Sequence, residues 1–193
     1  MTPDEFTSAW ISETDHESKI SILMMNEEYR DLALFLSAKK GDGEMIQYLI
    51  DNTVFDNTES FEARDRAIRA AIKYGHVHIL KLLLTTKGEI QMNMSRLIAN
   101  YYTPSLGECI RLLLEDGREY PLERELQLIN TSSKRGYFEC LKLLLDDGRA
   151  DPSTFNSSAL YSAIIGNHKE CVQLLLKDGR SQIPRSFVKK MKL

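Results

Sequence analysis

The chain has 193 residues, 42% of them hydrophobic and 27% charged, so its composition is that of one or two folded domains and not of a disordered protein. The formal net charge of −3 gives no general attraction to nucleic acid, but it does not exclude a local basic patch. Because no stretch reaches the roughly 18 apolar residues that cross a membrane, and the N-terminus lacks the pattern of an export signal, we expect a cytoplasmic or nuclear protein without membrane segments.

The first residues predict an N-terminal helical cap over residues 1–29. Thr2 and Glu5 have the spacing of a capping box, in which each side chain accepts a hydrogen bond from the other residue's backbone amide. Pro3 suits the first helical position. Apolar residues then recur at helical spacing, beginning with Phe6 and Trp10. We expect one or two helices that cover the first unit of the array that follows.

Residues 30–183 repeat one pattern five times. The residue before "HVHILKLLL" serves as an anchor, and the anchors are Gly41, Gly75, Ser105, Gly136 and Asn167. They lie 34, 30, 31 and 31 residues apart, a period typical of stacked supersecondary units. Apolar or small residues eight, seven and four positions before each anchor predict a short first helix. The leucine-rich run after each anchor predicts a second helix that is buried on most sides.

Turn residues separate these predicted helices. Glycine or asparagine at the anchor suits a left-handed residue that ends the first helix. Asp-Gly pairs end the second helix at residues 116–117, 147–148 and 178–179. Since no unit could bury its apolar faces alone, the five units are predicted to stack. Residues 184–193 begin like the first helix of a sixth unit and are predicted to form a C-terminal capping helix.

The segments "GHVHILKLLL" and "NHKECVQLLL" resemble the second half of an ankyrin repeat. The Thr-Pro-Leu-His signature of that family is absent, and most steps are shorter than its usual period of about 33 residues. The resemblance implies an all-α, ankyrin-like repeat solenoid of about five helix-turn-helix units with short fingers and helical caps. It also implies that His76 and His168, which follow their anchors, hydrogen-bond the turn.

Three cysteines, Cys109, Cys140 and Cys171, occupy equivalent positions in consecutive units, where the earlier units have Met45 and Ile79. A metal ligand or nucleophile would not be replaced by methionine or isoleucine in sister units, so we expect core residues. The sequence has no zinc-ligand spacing, phosphate-binding loop or nucleophile elbow. We therefore expect no metal, no cofactor and no enzymatic activity.

The two positions before each anchor carry the clearest functional pattern. In ankyrin-like stacks these positions face the concave surface, where partners usually bind. They predict a basic groove for an acidic segment of another protein, with a tyrosine as anchor and an isoleucine at an apolar end. The alternative interpretation is that these are solvated positions that are basic by chance. The candidate residues are Lys39, Lys40, Lys73, Tyr74, Lys134, Arg135 and Ile165.

Arginines follow each Asp-Gly pair, at Arg118, Arg149 and Arg180. An arginine near a helix C-terminus offsets the unpaired carbonyls and the helix dipole, and it can pair with a neighbouring acidic residue. Recognition of an acidic partner is the alternative role for these side chains.

The predicted function is a non-catalytic protein–protein interaction module, acting as an adaptor, inhibitor or effector. The alternative is a nucleic-acid-binding protein that uses the same basic groove and the basic C-terminus. That alternative lacks the interleaved aromatic residues and the net positive charge expected of such a surface.

Overall fold

The structure is a computed structural model that describes residues 1–52, 58–86, 103–117, 122–149 and 151–182. Within these ranges every regular element is a helix and no β-strand occurs, which confirms the predicted all-α repeat fold. A short 3-10 helix, Glu27–Tyr29, lies between α2 and α3. The α-helices are α1 (Pro3–Ser12), α2 (His16–Met24), α3 (Arg30–Lys40), α4 (Gly43–Asp51), α5 (Thr58–Tyr74), α6 (Val77–Leu84), α7 (Leu106–Asp116), α8 (Leu122–Arg135), α9 (Phe138–Asp147), α10 (Thr154–Ile165) and α11 (Lys169–Asp178).

The described helices belong to two compact units. Unit 1 consists of Met1–Met92 and Thr103–Leu112, and unit 2 consists of Asn93–Tyr102 and Leu113–Leu193. In unit 1, α3 packs on α5 and α4 packs on α6. In unit 2, α8 packs on α10 and α9 packs on α11. Each unit therefore has a layer of first helices and a layer of second helices, as a helix-turn-helix repeat requires.

Small residues form the contact face of the first helices. In unit 1, α3 buries Ala33, Ser37 and Ala38, and the facing helix α5 buries Ala67 and Ala71. Small side chains let two helix axes approach closely. The small residues whose spacing predicted these helices are therefore the ones on the face where α3 and α5 are in contact. The second helices instead bury large aliphatic residues along most of their length.

The chain reverses between the two helices of a repeat at a residue with positive φ. Gly41 (φ 78°), Gly75 (φ 77°), Gly136 (φ 72°) and Asn167 (φ 57°) occupy this position. The prediction of a left-handed anchor is therefore confirmed in four repeats. In the described part of the chain, Ser105 is not among the residues with positive φ, so the third turn differs from the other four. A β-carbon makes the left-handed region costly for serine.

The N-terminal helix α1 begins with the predicted capping box, since Thr2 and Glu5 accept hydrogen bonds from each other's amides. Phe6 and Trp10 on its inner side are fully buried and stack with their ring centroids 5.4 Å apart. The helix packs against α3 of the first repeat. The apolar spacing therefore identified Phe6 and Trp10 as buried, whereas Ile11, which belongs to the same apolar pattern, is 46% exposed.

The helix α2 contributes a buried ion pair that the sequence did not reveal. Lys19 is only 5% exposed and pairs with Asp42, whose other carboxylate oxygen caps α4 by accepting from the amide of Met45 at 3.1 Å. Burial works to raise the pKa of Asp42, but the hydrogen bonds from Lys19 and Met45 and the charge of Lys19 outweigh it and lower that pKa. The pair joins α2 to the start of α4.

Some predictions fall outside the described residues and stay predictions. They concern Arg118, the first helix of the third repeat, which the pattern places within residues 87–102, the capping helix at residues 184–193 and the predicted fingers that fall on residues 53–57 and 118–121. The division into an N-terminal cap at 1–29, repeats at 30–183 and a C-terminal cap also stays a prediction.

Candidate functional site

Two histidines of the second repeat form hydrogen bonds with the backbone at the end of α3, where the candidate residues Lys39 and Lys40 lie. The Nε2 atom of His76 lies 3.1 Å from the carbonyl oxygen of Lys39, and Nε2 of His78 lies 3.1 Å from that of Gly41. Since a carbonyl oxygen can only accept, the ring nitrogen donates in each bond. The predicted turn-bonding role of His76 is therefore confirmed, and the backbone position from which the Lys39 side chain extends is fixed by its neighbour.

The structure brings three of the candidate residues of unit 1 together. The Nζ atom of Lys39 lies 5.9 Å from the centroid of the Tyr74 ring, and the Nζ atom of Lys73 lies 5.2 Å from the same centroid. Both lie within the distance at which an ammonium group is attracted to the negative face of an aromatic ring. Tyr74 is 42% exposed. Lysines from two consecutive repeats thus meet at one accessible aromatic side chain, and we call Lys39, Lys73 and Tyr74 the lysine–tyrosine cluster.

Lys40, the remaining candidate of unit 1, has a different partner. Its Nζ atom donates to the carbonyl oxygen of Ile11, at the end of α1, over 2.6 Å. The last carbonyls of a helix have no partner within the helix, so this contact satisfies one of them. Although Lys40 is next to Lys39 in the sequence, its side chain contacts the N-terminal helix.

In unit 2 the corresponding residues are basic and exposed but have no aromatic residue among them. Lys134 and Arg135 end α8, and Nε2 of His168 lies 3.0 Å from the carbonyl oxygen of Lys134. This bond confirms the predicted role of His168 and matches the bond to Lys39 in unit 1. Ile165, at the end of α10, is 64% exposed.

Two of the three arginines that follow Asp-Gly pairs, Arg149 and Arg180, form ion pairs near the ends of their helices. Arg149 binds both carboxylate oxygens of Asp147, at 2.6 and 3.1 Å. Arg180 binds both oxygens of Asp178, at 2.8 and 2.7 Å, and also donates to the carbonyl oxygen of Leu145 at 3.0 Å. The hydrogen bond from Arg180 lowers the pKa of Asp178, despite partial burial. These contacts favour the structural interpretation of the two arginines.

The three cysteine thiols are buried and unbridged, as expected of core residues. Burial, followed by the nearby charge of Glu108, raises the pKa of Cys109 to about 11. Burial also raises the pKa of Cys171. A thiol with a raised pKa is a poor nucleophile at neutral pH. Among the described residues, no group of three or more His, Cys, Asp or Glu side chains is placed to hold a metal ion.

Two contacts at this surface were missed by the sequence reasoning. His78 was not assigned to the turn, although it lies three residues after its anchor Gly75 and so one helical turn from it. The contact between Lys40 and Ile11 joins residues that are 29 positions apart in the chain and has no local signal.

In the part of the chain that the structure describes, no helix is both long and apolar enough to cross a membrane.

Comparison with known proteins agrees with the repeat geometry. Residues 97–184 match the family model described as ankyrin repeats, in three copies. No curated protein and no solved structure matches the chain. The helices α3 to α6 lie before the matched segment, but they have the same left-handed anchors and the same bond from a histidine to the preceding turn. Ankyrin repeats generally serve as protein–protein interaction modules and are typically non-catalytic. The segment of residues 97–184 therefore consists of ankyrin repeats.

Proposed function

We propose that this protein is a non-catalytic interaction module that binds an acidic segment of another protein through the exposed ends of its first helices. The observation that carries the proposal is the lysine–tyrosine cluster, in which Lys39 and Lys73 from consecutive repeats meet at the exposed ring of Tyr74. Positive charge that is concentrated at one place on an acidic protein favours a negatively charged partner.

A separate candidate surface lies within unit 2. Lys134 and Arg135 supply two further exposed charges, and Ile165 supplies an exposed apolar side chain. An interface of this kind combines charge, which directs association, with an apolar or aromatic residue, which contributes affinity. Arg149 and Arg180 are expected to contribute less, because each is already paired with an aspartate of its own repeat.

Binding of two peptides to the full chain tests this proposal. The probe is a fluorescent peptide in which pairs of glutamates are separated by leucine and serine, and its glutamine version is the neutral control. Glutamate peptide binding is expected, with about tenfold weaker affinity in Lys39→Glu/Lys73→Glu and in Lys134→Glu/Arg135→Glu. The matched control is Lys81→Glu/Lys142→Glu, which makes the same charge change at exposed lysines of the second helices α6 and α9. Its affinity is expected to stay within about twofold.

Two outcomes contradict the proposal. If the glutamine peptide binds as tightly as the glutamate peptide, binding does not depend on negative charge. If the control variant loses as much affinity as the two test variants, binding does not depend on these particular positions. A single-stranded oligothymidine serves as a further probe. If it binds more tightly than the glutamate peptide and loses affinity steeply with salt, the surface is a nucleic-acid site, because phosphate contacts release counterions.

A further inference from the structure

We infer that Tyr74 is a positioning residue that organises Lys39 and Lys73 into one anion-binding site for a glutamate or aspartate of the partner segment, and that Lys40 is not part of this site. This inference rests on the proposed function and assigns it a specific locus in unit 1. From the sequence, Tyr74 was expected to be an anchor that contacts the partner itself. The geometry instead points to a ring that has the ammonium groups of both lysines within about 6 Å of its centroid.

The physical reason lies in the flexibility of lysine. A free lysine side chain populates many rotamers, and holding it in one place costs conformational entropy when a ligand binds. Attraction to the face of an aromatic ring keeps the ammonium near that ring before binding. Tyr74 therefore reduces the entropy that an acidic ligand must overcome to engage Lys39 and Lys73 together.

The backbone beneath these side chains is also held. The carbonyl oxygen of Lys39 accepts from His76, which directly follows the Tyr74–Gly75 turn. Lys73 and Tyr74 are the last two residues of α5. The three side chains thus extend from two helix ends that a hydrogen bond joins, so their relative position does not depend on a flexible loop.

Lys40 is excluded by its own contact. Its ammonium group donates to the carbonyl oxygen of Ile11, which turns it toward α1. Lys39 and Lys40 are adjacent, carry the same charge and are both exposed, yet only Lys39 is expected to contribute to binding of an acidic peptide. Lys40 therefore serves as a control for any change in affinity that depends on net charge alone.

The test uses single variants of the full chain with the same glutamate peptide. Tyr74→Phe keeps the ring and is expected to bind like the wild type, whereas Tyr74→Leu keeps the apolar bulk but loses the ring and is expected to bind about threefold more weakly. Lys39→Gln and Lys73→Gln are each expected to weaken binding about fivefold, and Lys40→Gln less than twofold. Circular dichroism checks that each variant is folded.

A measurement without any ligand keeps the inference testable on its own. In NMR spectra of the free protein, the ε-methylene protons of Lys39 and Lys73 are expected to show upfield ring-current shifts that persist in Tyr74→Phe and vanish in Tyr74→Leu. The corresponding protons of Lys40 are expected to be unchanged. Absence of these shifts in the wild type overturns the inference, whether or not a peptide binds.

The outcomes separate the inference from the proposed function. If the glutamate peptide does not bind to the wild type, the proposed function fails. If the peptide binds and depends on Lys39 and Lys73 but Tyr74→Leu has wild-type affinity, only the positioning role of Tyr74 fails. Equal losses in Lys40→Gln and Lys39→Gln would show a general charge effect and would also overturn the inference.

Discussion

The two compact units use the same turn but present different surfaces. In unit 1 the ring of His76 donates to the carbonyl of Lys39, and in unit 2 the ring of His168 donates to the carbonyl of Lys134. In both units the residue whose carbonyl accepts this bond is the second one before the anchor, and its side chain is exposed. The bond that stabilises the stack therefore also fixes the origin of a candidate binding side chain.

The side chains themselves differ between the units. Unit 1 places two lysines near one aromatic ring, that of Tyr74, whereas unit 2 has a basic pair and a separate exposed isoleucine, Ile165. The backbone turn is common because its geometry is needed for stacking, and the outward side chains are free to vary because they do not take part in it. Stability and specificity are therefore encoded at neighbouring positions with different chemical demands.

The largest predicted effect concerns the glycine of the shared turn. We expect glycine to be needed there both for its positive φ and because the histidine ring of the next repeat leaves no room for a β-carbon. A β-carbon at Gly136 would lie 2.7 Å from Cε1 of His168, and the φ of 72° is itself unfavourable for alanine. Gly136→Ala is expected to lower the free energy of unfolding by about 3 kcal/mol, because the ring must move and its hydrogen bond is lost. Urea denaturation measures this change, and Gly41→Ala in unit 1 is expected to behave similarly.

The matched control for this prediction is Gly148→Ala. Its φ is 74°, but a β-carbon there would meet nothing within 4 Å, so a loss of only about 1 kcal/mol is expected. In the His168→Ala background, the cost of Gly136→Ala should fall to the same value. Additive losses in that double variant would show that the histidine ring is not the cause.

An intermediate effect is expected from the ion pair that distinguishes unit 1. Asp42→Asn keeps a residue type suited to capping α4 but leaves Lys19 buried without its counter-charge. A loss of about 2 kcal/mol at neutral pH is expected. Chemical denaturation of the wild type and the variant at several pH values measures it.

The contribution of the Lys19–Asp42 pair to the free energy of unfolding is expected to depend on pH. Because the folded-state pKa of Asp42 is lowered, the contribution of the pair is complete above the pKa of the unfolded chain. It is lost as the pH falls through the lower folded-state pKa. The stability difference between wild type and Asp42→Asn should therefore shrink below about pH 4. A difference that stays constant down to low pH would rule out the ion pair as its source.

The smallest predicted effect compares two arginines within unit 2. Arg180 binds Asp178 and also the Leu145 carbonyl of the preceding repeat, whereas the bonds described for Arg149 go to Asp147, two residues away. Arg180→Ala is expected to cost about 1 kcal/mol and Arg149→Ala less than about 0.5 kcal/mol. Thermal unfolding under identical conditions measures both losses. A larger loss for Arg149→Ala would contradict the role given to the contact between repeats.

Much of the fold could be predicted because its determinants are local. The small residues of α3 and α5, the leucine-rich second helices and the anchors Gly41, Gly75 and Gly136 all act within a few residues of their own position. The cysteines were assigned to the core from their replacement by Met45 and Ile79 in sister units, and all three are buried. Repetition made each of these inferences testable against four other copies.

The candidate site could be predicted only as a set of positions. Lys39 and Lys40 were equivalent in the sequence, yet one approaches Tyr74 and the other contacts Ile11. Long side chains choose among partners that come from distant parts of the chain, so local spacing does not determine their contacts. The same applies to Lys19, which has no apolar or repeat signal and finds Asp42 only when α2 is docked.

By itself the sequence determined the repeat, its helix-turn-helix unit and the residues that line the core, because these depend on period, side-chain volume and backbone preference along a short stretch. Only the tertiary structure decided which charges are paired, that His78 also bonds the turn and which lysines meet at one ring. Those contacts join consecutive repeats or α1 and α2 to the first repeat, and their geometry exists only when the helices are stacked.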